Sequence, residues 1–329
     1  MEKYLLSCDW GSTALRLRLI EMPGQVIIGE VFSDDGVTRT FNNWKANAAD
    51  KEITRKQYFI NILKKQKDLL AANVSVKLDG IPIAVSGMAS SSIGMQELPY
   101  AILPFPVSGS GAIVQIFEAE ENFPNPILLI SGVRSDEEVM RGEETQLIGI
   151  AELLGLQQQE AILILPGTHS KHLHIKNGHL VDFKTFMTGE VFGLMINHSI
   201  LKNSVDTGDW AELSESDEEA FRLGVDRSTV SSILNSLFSI RTNELFNKMN
   251  KRQNSLYLSG LLIGNELSTL RSEDVTLGLC SSGNLLGLYR LALDQLGLLK
   301  NTILVSASCF DKAVAAGQIA ILNKLTLTL

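Results

Sequence analysis

Two short stretches hold residues whose types and spacing could do chemistry. In the first, Asp9 and Trp10 close an apolar run and are followed at once by Gly11, Ser12 and Thr13. Leu15, Leu17 and Leu19 then alternate with Arg16 and Arg18. A glycine tip lets backbone N–H groups approach an anion, because no Cβ stands in the way, and the hydroxyls add donors. Asp9 would repel a phosphate directly, so an acid beside such a cradle implies a divalent cation between them. Mg²⁺ takes one or two carboxylates together with phosphate oxygens and waters. The plainer alternative is an aspartate that caps its own hairpin loop. In the second stretch, Gly167, Thr168, Ser170 and Lys171 make another anion cradle, with a cation and without a counterpart of Asp9. Neither is a Walker loop, since G-x-x-x-x-G-K-[ST] is absent and both tips lead into strands. One tip from each half is expected to clamp a polyphosphate, with the metal on one side only.

Each tip needs strands to hold it. Period-two alternation after Thr13, the turn at residues 22–25 and the apolar run from Val26 predict a three-stranded meander. Residues 162–186 repeat that plan, with a hairpin at Asn177-Gly178; laying Gly11 on Gly167 puts Leu17 on Leu173 and Leu19 on Ile175. Duplication of one unit accounts for this. Between the meanders, residues 81–88 and 127–132 read as strands and residues 137–154 as a helix capped by Gly155. Further on, Ser216-Asp217-Glu218-Glu219 reads as a capping box, and Val230, Ile233, Leu234, Leu237 and Phe238 as an apolar stripe. Three strand–helix pairs end the chain: SLYLSG before LLIGNELSTL, VTLGLCSSG before a helix bearing Tyr289, and TILVSAS before the last helix. The expected architecture is α/β, in two related domains, 1–155 and 156–329, that meet at a Gly155–Gln159 linker.

Composition narrows the partners. The 329 residues suffice for two domains, and 45% hydrophobic with 20% charged residues is ordinary for a globular protein. A formal net charge of -8 argues against nucleic acid as a partner. No apolar run reaches membrane-spanning length, and the run before Asp9 is too short for a signal peptide, so no membrane and a cytoplasmic location are expected. Cys8, Cys280 and Cys309 read as small buried hydrophobes within strands.

Motifs along nearly the whole length now become informative: DWGSTALR (9–16), GVTR (36–39), SGMASSSIG (86–94) with PY (99–100), VMRGEETQLIG (139–149), LPGTHSK (165–171), FMTGE (186–190), LSGLLIGNE (258–266) and DKAVAAG (311–317). With them the chain resembles the sugar kinase, hexokinase, Hsp70 and actin superfamily, and within it the 2-dehydro-3-deoxygalactonokinases. The resemblance implies two duplicated ribonuclease H-like (actin-like ATPase) domains with an interdomain cleft. It also implies transfer of a phosphoryl group from ATP, with Mg²⁺, to the terminal C6 hydroxyl of 2-dehydro-3-deoxy-D-galactonate in galactonate catabolism. A kinase of another small sugar acid, or an actin-like nucleotide-binding protein without a metabolite, are the alternatives. The oligomeric state, including a homo-oligomer, stays open.

Phosphoryl transfer asks for a metal, a phosphate cradle and a base near the accepting hydroxyl. Asp9 is the metal-side carboxylate, directly or through water. Glu143 or Glu144 is the candidate base, beside Arg141, with Asp136 next; acids in a helix's first turn are the alternative without chemistry. His169, within the second tip, could donate to phosphate. His172 and His174 are expected to face solvent, and no third ligand supports a zinc site. The sugar acid's carboxylate calls for a cation, first Arg39, and Ser86, Gly87, Met88 and Ser90 could serve its hydroxyls. For adenosine the candidates are Gly260, Ser281, Ser282 and Gly283. Two departures from the family pattern touch these sites: Ser282-Gly283-Asn284 stands in place of Gly-Ser-Ser, and Met95 in place of Trp.

Overall fold

The computed structural model describes residues 3–47, 53–155, 160–206, 210 and 212–326. Of the expected linker, residues 156–159 lie outside the described residues. Two compact units are present: Met1–Gln159, Lys176–Asp182 and Asp311–Leu329 form one, and Glu160–Ile175 with Phe183–Phe310 the other.

The first unit opens with the expected meander, β1 (Tyr4–Trp10), β2 (Leu15–Glu21) and β3 (Val26–Ser33). Helices α1 (Val37–Asn47) and α2 (Arg55–Ala71) follow, then β4 (Ile83–Gly87), the two-residue β5 (Ala101–Ile102) and β6 (Phe105–Pro106), β7 (Val114–Phe117) and β8 (Ile127–Ile130). The sheet order is β3-β2-β1-β4-β8-β7, with β4 parallel to both β1 and β8. Leu6, Cys8 and Trp10 bury one face of β1 against Leu15, Leu17 and Leu19 and, from α2, Phe59 and Leu63. By the same alternation Asp9 and Ser7 point to the other face.

The chain then departs from the expected helix over 137–154. A small hairpin, β9 (Val133–Arg134) and β10 (Val139–Met140), comes first, and its turn is tied by Ser135 Oγ, which accepts from the N–H groups of Glu137 and Glu138. Helix α3 begins later, at Glu143, and runs to Leu154. Gly142, with φ +114°, interrupts any helix continuing from the hairpin, and Gly155 at φ +66° provides the predicted left-handed cap.

In the second unit β11 (Ala161–Leu165), β12 (Ser170–Lys176) and β13 (His179–Phe186) form the second meander, with positive φ at both Asn177 and Gly178 as its tight turn requires. The first residues of β13 belong to the first unit, where they pair with β6. Then come α4 (Thr188–His198), α5 (Glu215–Val230), α6 (Ile233–Leu245), α7 (Lys251–Ser268), β14 (Thr276–Cys280), α8 (Gly283–Gln295) and β15 (Thr302–Val305). The last helix, α9 (Ala307–Thr326), joins the first unit from Asp311 onward. The order β13-β12-β11-β14-β15 repeats β3-β2-β1-β4-β8, with the same parallel partners for the central strand. The duplication therefore extends beyond the hairpins to five strands of each sheet.

Several local expectations change. SLYLSG is helical, the middle of α7, because its small residues serve a close crossing: a methyl on Gly260 would lie 2.1 Å from Phe221 O in α5. The capping box is Ser214 with Asp217, two residues earlier than expected. The apolar stripe is split between α5 and α6 by Ser231 and Ser232, so Ile233 and Leu237 pack inward while Val230, Leu234 and Phe238 are exposed. Cys8 and Cys280 are buried in strands, but Cys309 lies half-buried in the first turn of α9.

Candidate active site

The two tips are built differently. Trp10 pairs with Leu15, and Gly11 N–H donates to Ala14 O at 2.9 Å, so Ser12 and Thr13 alone turn the first tip and are exposed. Leu165 pairs with Lys171, which leaves the second tip one residue longer. The first tip rests on the start of α1: Val37 N–H donates to Gly11 O at 2.9 Å and Thr38 N–H to Ser12 O at 3.1 Å. Gly36 makes this possible, since a methyl there would lie 2.2 Å from the Thr13 carbonyl carbon. Arg39 follows in the first turn of α1, exposed.

Asp9 lies opposite Arg16 on β2 and in register with Ser86 on β4. Burial raises its pKa from its ordinary value, while the positive charges of Arg16 and Arg18 act the other way. Both arginines are in turn anchored by Asp311 at the start of α9, at 3.3 and 2.7 Å. Gln318, further along α9, donates to Cys8 O at 3.0 Å and to Ser86 Oγ at 2.9 Å. The C-terminal helix thus fixes the strand ends that carry Asp9 and Ser86.

The MRGEE segment reaches the same place. Gly87, φ +91°, is so near Trp10 that a methyl would lie 2.7 Å from Trp10 O, and one on Gly142 would lie 3.3 Å from Gly87 Cα. Arg141 donates to Ser90 Oγ at 2.9 Å and to Leu98 O at 3.0 Å, and its guanidinium stacks 3.9 Å from the centre of the Tyr100 ring. Met88 is half-buried at the start of the short turn that leads to Ser90, and Met95 is packed in the core. Glu144 is 1% exposed, accepting from Gly142 N–H at 2.7 Å and from Thr145 Oγ1 at 2.9 Å. Burial, with a smaller push from Glu143, raises its pKa to about 7. Glu143 is half-buried on the same turn, and Asp136 lies fully exposed in the β9–β10 turn. Of the residues singled out in the sequence, Asp9, Ser86, Gly87, Ser90, Arg141, Glu143 and Glu144 lie together at the ends of β1 and β4. Gln318 and Asp311 join them without a local sequence signal.

At the second tip Gly167, Thr168 and His169 are accessible, whereas Ser170 and Lys171 point inward. Gly167 N–H donates to Ser170 Oγ at 3.3 Å, and Lys171 Nζ donates to Thr185 Oγ1 at 2.6 Å. The start of α4 braces the tip: Glu190 N–H donates to Thr168 O at 3.0 Å, and the Glu190 carboxylate pairs with His169. His172 does not face solvent as expected. It is buried against Phe186 and bonded to Glu266 at 3.0 Å, because the face of β12 that carries it is covered by α7. His174 pairs with Glu160 at 3.2 Å.

Beyond β14, Ser281 is buried, while Ser282 and Gly283 form the exposed start of α8, with open space at the Gly283 Cα and φ +60°. A cleft of about 540 Å³ begins there, lined by Gly283, Asn284, Gly287, Trp210, Glu218 and Arg222. Gly260 is remote in role, spent on the α5–α7 crossing.

The duplicated sheet, with a glycine tip at the first turn of each copy, is that of the actin-like ATPase and sugar kinase class. Fold comparison agrees: the activator of 2-hydroxyisocaproyl-CoA dehydratase from Clostridium difficile, solved with ADPNP, superposes with a TM-score of 0.51 at 13% identity over 99% of this chain and 97% of that one. Residues 9–321 match the family model described as 2-keto-3-deoxy-galactonokinase. The 2-dehydro-3-deoxygalactonokinase of Escherichia coli K12 is 31% identical over 81% of this chain and 80% of that protein. A solved structure from Sinorhizobium meliloti, provisionally named for the same activity, is 30% identical with a TM-score of 0.77, over 97% of this chain and 96% of that one. The chain belongs to the 2-keto-3-deoxy-galactonokinase family, and is a nucleotide-dependent kinase.

Proposed function

We propose that the protein transfers the γ-phosphoryl group of ATP to the C6 hydroxyl of 2-dehydro-3-deoxy-D-galactonate, releasing ADP, in galactonate catabolism. The observation that carries this reading is the meeting, at the ends of β1 and β4, of the Asp9 carboxylate, a hydroxyl-bearing turn (Ser86–Ser90) and the Arg141–Glu144 segment. Gly11, Ser12 and Thr13 serve the phosphates of the nucleotide, and so do Gly167, Thr168 and His169. The start of α8, at Ser282 and Gly283, serves adenosine. Arg39 meets the carboxylate of the sugar acid.

For the base, reach comes before acidity. Glu144 is buried with both oxygens engaged, so it shapes the turn. Glu143, half-exposed beside it, takes the proton of the attacking hydroxyl as the new O–P bond forms and the bond to ADP breaks. Mg²⁺ fits the residues present: the Asp9 carboxylate, raised in pKa by burial, makes no hydrogen bond among the described residues, and hard oxygen donors suit this ion. Asp9 would hold it directly or through water, and the ion would neutralise charge on the phosphates. Holding both substrates away from water keeps water from accepting the phosphoryl group.

A coupled ADP-release assay across keto-deoxy sugar acids, sugars and polyols tests the proposal. Highest kcat/KM with 2-dehydro-3-deoxy-D-galactonate, with product carrying phosphate at C6, is the expected result. Turnover that prefers a neutral sugar, or that ignores every added acceptor, would overturn it.

A further inference from the structure

A carboxylate without a role so far lies beneath the second tip. Glu266, in the last turn of α7, is 2% exposed, and buried acids persist where donors surround them. Donors from three other elements converge on it: His172 Nε2 of β12 at 3.0 Å, Tyr289 Oη of α8 at 2.8 Å, and Thr188 Oγ1 at the start of α4.

That geometry sets the direction of each proton. A carboxylate that receives three donors acts only as acceptor, so Tyr289 donates to Glu266. Ser170 Oγ, 2.8 Å from the Tyr289 oxygen, then donates to Tyr289 and is left to accept from Gly167 N–H at 3.3 Å. His172 follows the same logic: Nε2 carries its proton, and buried Nδ1 has no partner among the described residues. A continuous chain of hydrogen bonds therefore runs from a buried acid to the glycine of the tip, and such chains polarise their members in a low-dielectric interior.

The second branch, through Thr188, fixes the start of α4. That turn is pressed against the tip, since a methyl on Gly189 would lie 2.7 Å from Gly167 O, and Glu190 N–H holds Thr168 O at 3.0 Å. Both supports of the tip, beneath Gly167 and beside Thr168, thus depend on Glu266. With the Gly167 N–H turned inward, the Thr168 and His169 N–H groups, which make no backbone bond among the described residues, remain for a ligand.

We propose that Glu266 is a positioning residue for phosphoryl transfer, which orients the peptides of the second tip so that Thr168 and His169 present their N–H groups to the nucleotide phosphates. This rests on the assignment of that tip to nucleotide. Glu266→Gln keeps the volume but replaces one of the two acceptor oxygens with an N–H donor and removes the negative charge on which the chain ends.

The test compares Gly167→Val, Glu266→Gln and Tyr289→Phe by titration calorimetry with ATP, by steady-state KM for each substrate, and by Tm. A side chain at Gly167 meets open space, so that variant folds while blocking the tip. Glu266→Gln should weaken ATP roughly ten- to hundredfold, as expected for losing bonds to a charged group, with the KM for the acceptor within about twofold. Tyr289→Phe, which removes one link, should weaken ATP by a smaller factor, and adding Ser170→Ala should cost little more, because both break the same chain. Equal loss for both substrates together with a lowered Tm would make Glu266 structural and overturn the proposal, as would unchanged ATP affinity in Tyr289→Phe. If Gly167→Val leaves ATP binding intact, the tip assignment itself fails. If Gly167→Val weakens ATP while Glu266→Gln and Tyr289→Phe do not, the Glu266 inference alone fails.

Discussion

Replacing Glu144 with glutamine isolates the cost of burying an acid at the turn that carries the proposed base. The Glu144 pKa rises from an ordinary 4.5 to about 7, chiefly through burial. The folded chain therefore binds more protons than the unfolded one between those values, so stability falls as pH rises through that window and levels off above it. The full cost is about 3 kcal/mol, from 1.36 kcal/mol per pH unit of displacement. In Glu144→Gln the amide oxygen would still accept from Gly142 N–H, and Thr145 Oγ1 could turn to accept from the new amide N–H. The variant therefore escapes the ionisation cost without leaving a donor stranded. Unfolding of both proteins in urea, at steps from pH 5 to 8.5, reads this directly. The stability of Glu144→Gln relative to the parent should climb by about 2.5 kcal/mol across the series, the remainder of the change lying below pH 5. A difference that stays flat over that range would refute the reasoning that the Glu144 carboxylate is held in a water-excluded pocket.

Glu143→Gln should lower kcat by about 10²- to 10⁴-fold, the usual worth of a general base, with nucleotide affinity measured by calorimetry unchanged. Asp9→Asn should retain ADP binding but lose most of kcat and its dependence on Mg²⁺ concentration; full turnover would remove Asp9 from the metal side. Gly317→Ala places a methyl 2.0 Å from Thr145 O, where α9 crosses α3, and overpacking of this kind costs about 1–3 kcal/mol, which thermal melts would show.

Legibility in the sequence follows the range of the physics involved. Both meanders and their turns are readable because alternation and Asn177-Gly178 are local signals, and the offset of Gly11 to Gly167 discloses the repeat of the hairpins. The start of α3 is not, because one backbone angle at Gly142 ends the hairpin and no periodicity reports it. SLYLSG looks like a strand since apolar and small residues alternate there, yet Gly260 and Gly264 are small to admit the backbone of α5. At the site, Asp9 and the Arg141–Glu144 segment carry chemistry in their own neighbourhoods. Gln318, Asp311 and Glu266 act on partners set apart in the chain, by 23 residues for Tyr289–Glu266, 94 for His172–Glu266 and 310 for Cys8–Gln318, so these meetings appear only after folding. The spacing of Lys171 suits a tip cation, but the alternation of β12 turns it inward to Thr185.

The central claim is that the two glycine tips serve one nucleotide, with the metal-side acid and the base at the first unit's strand ends. A crystal structure of the protein with a non-hydrolysable ATP analogue, Mg²⁺ and 2-dehydro-3-deoxy-D-galactonate measures this most directly. The account predicts phosphate oxygens bonded to backbone N–H groups of both tips, Mg²⁺ beside Asp9, and a Glu143 oxygen about 2.6–3.2 Å from the C6 hydroxyl. Phosphates held by one tip alone, or a sugar acid whose C6 hydroxyl points away from Glu143, would contradict it.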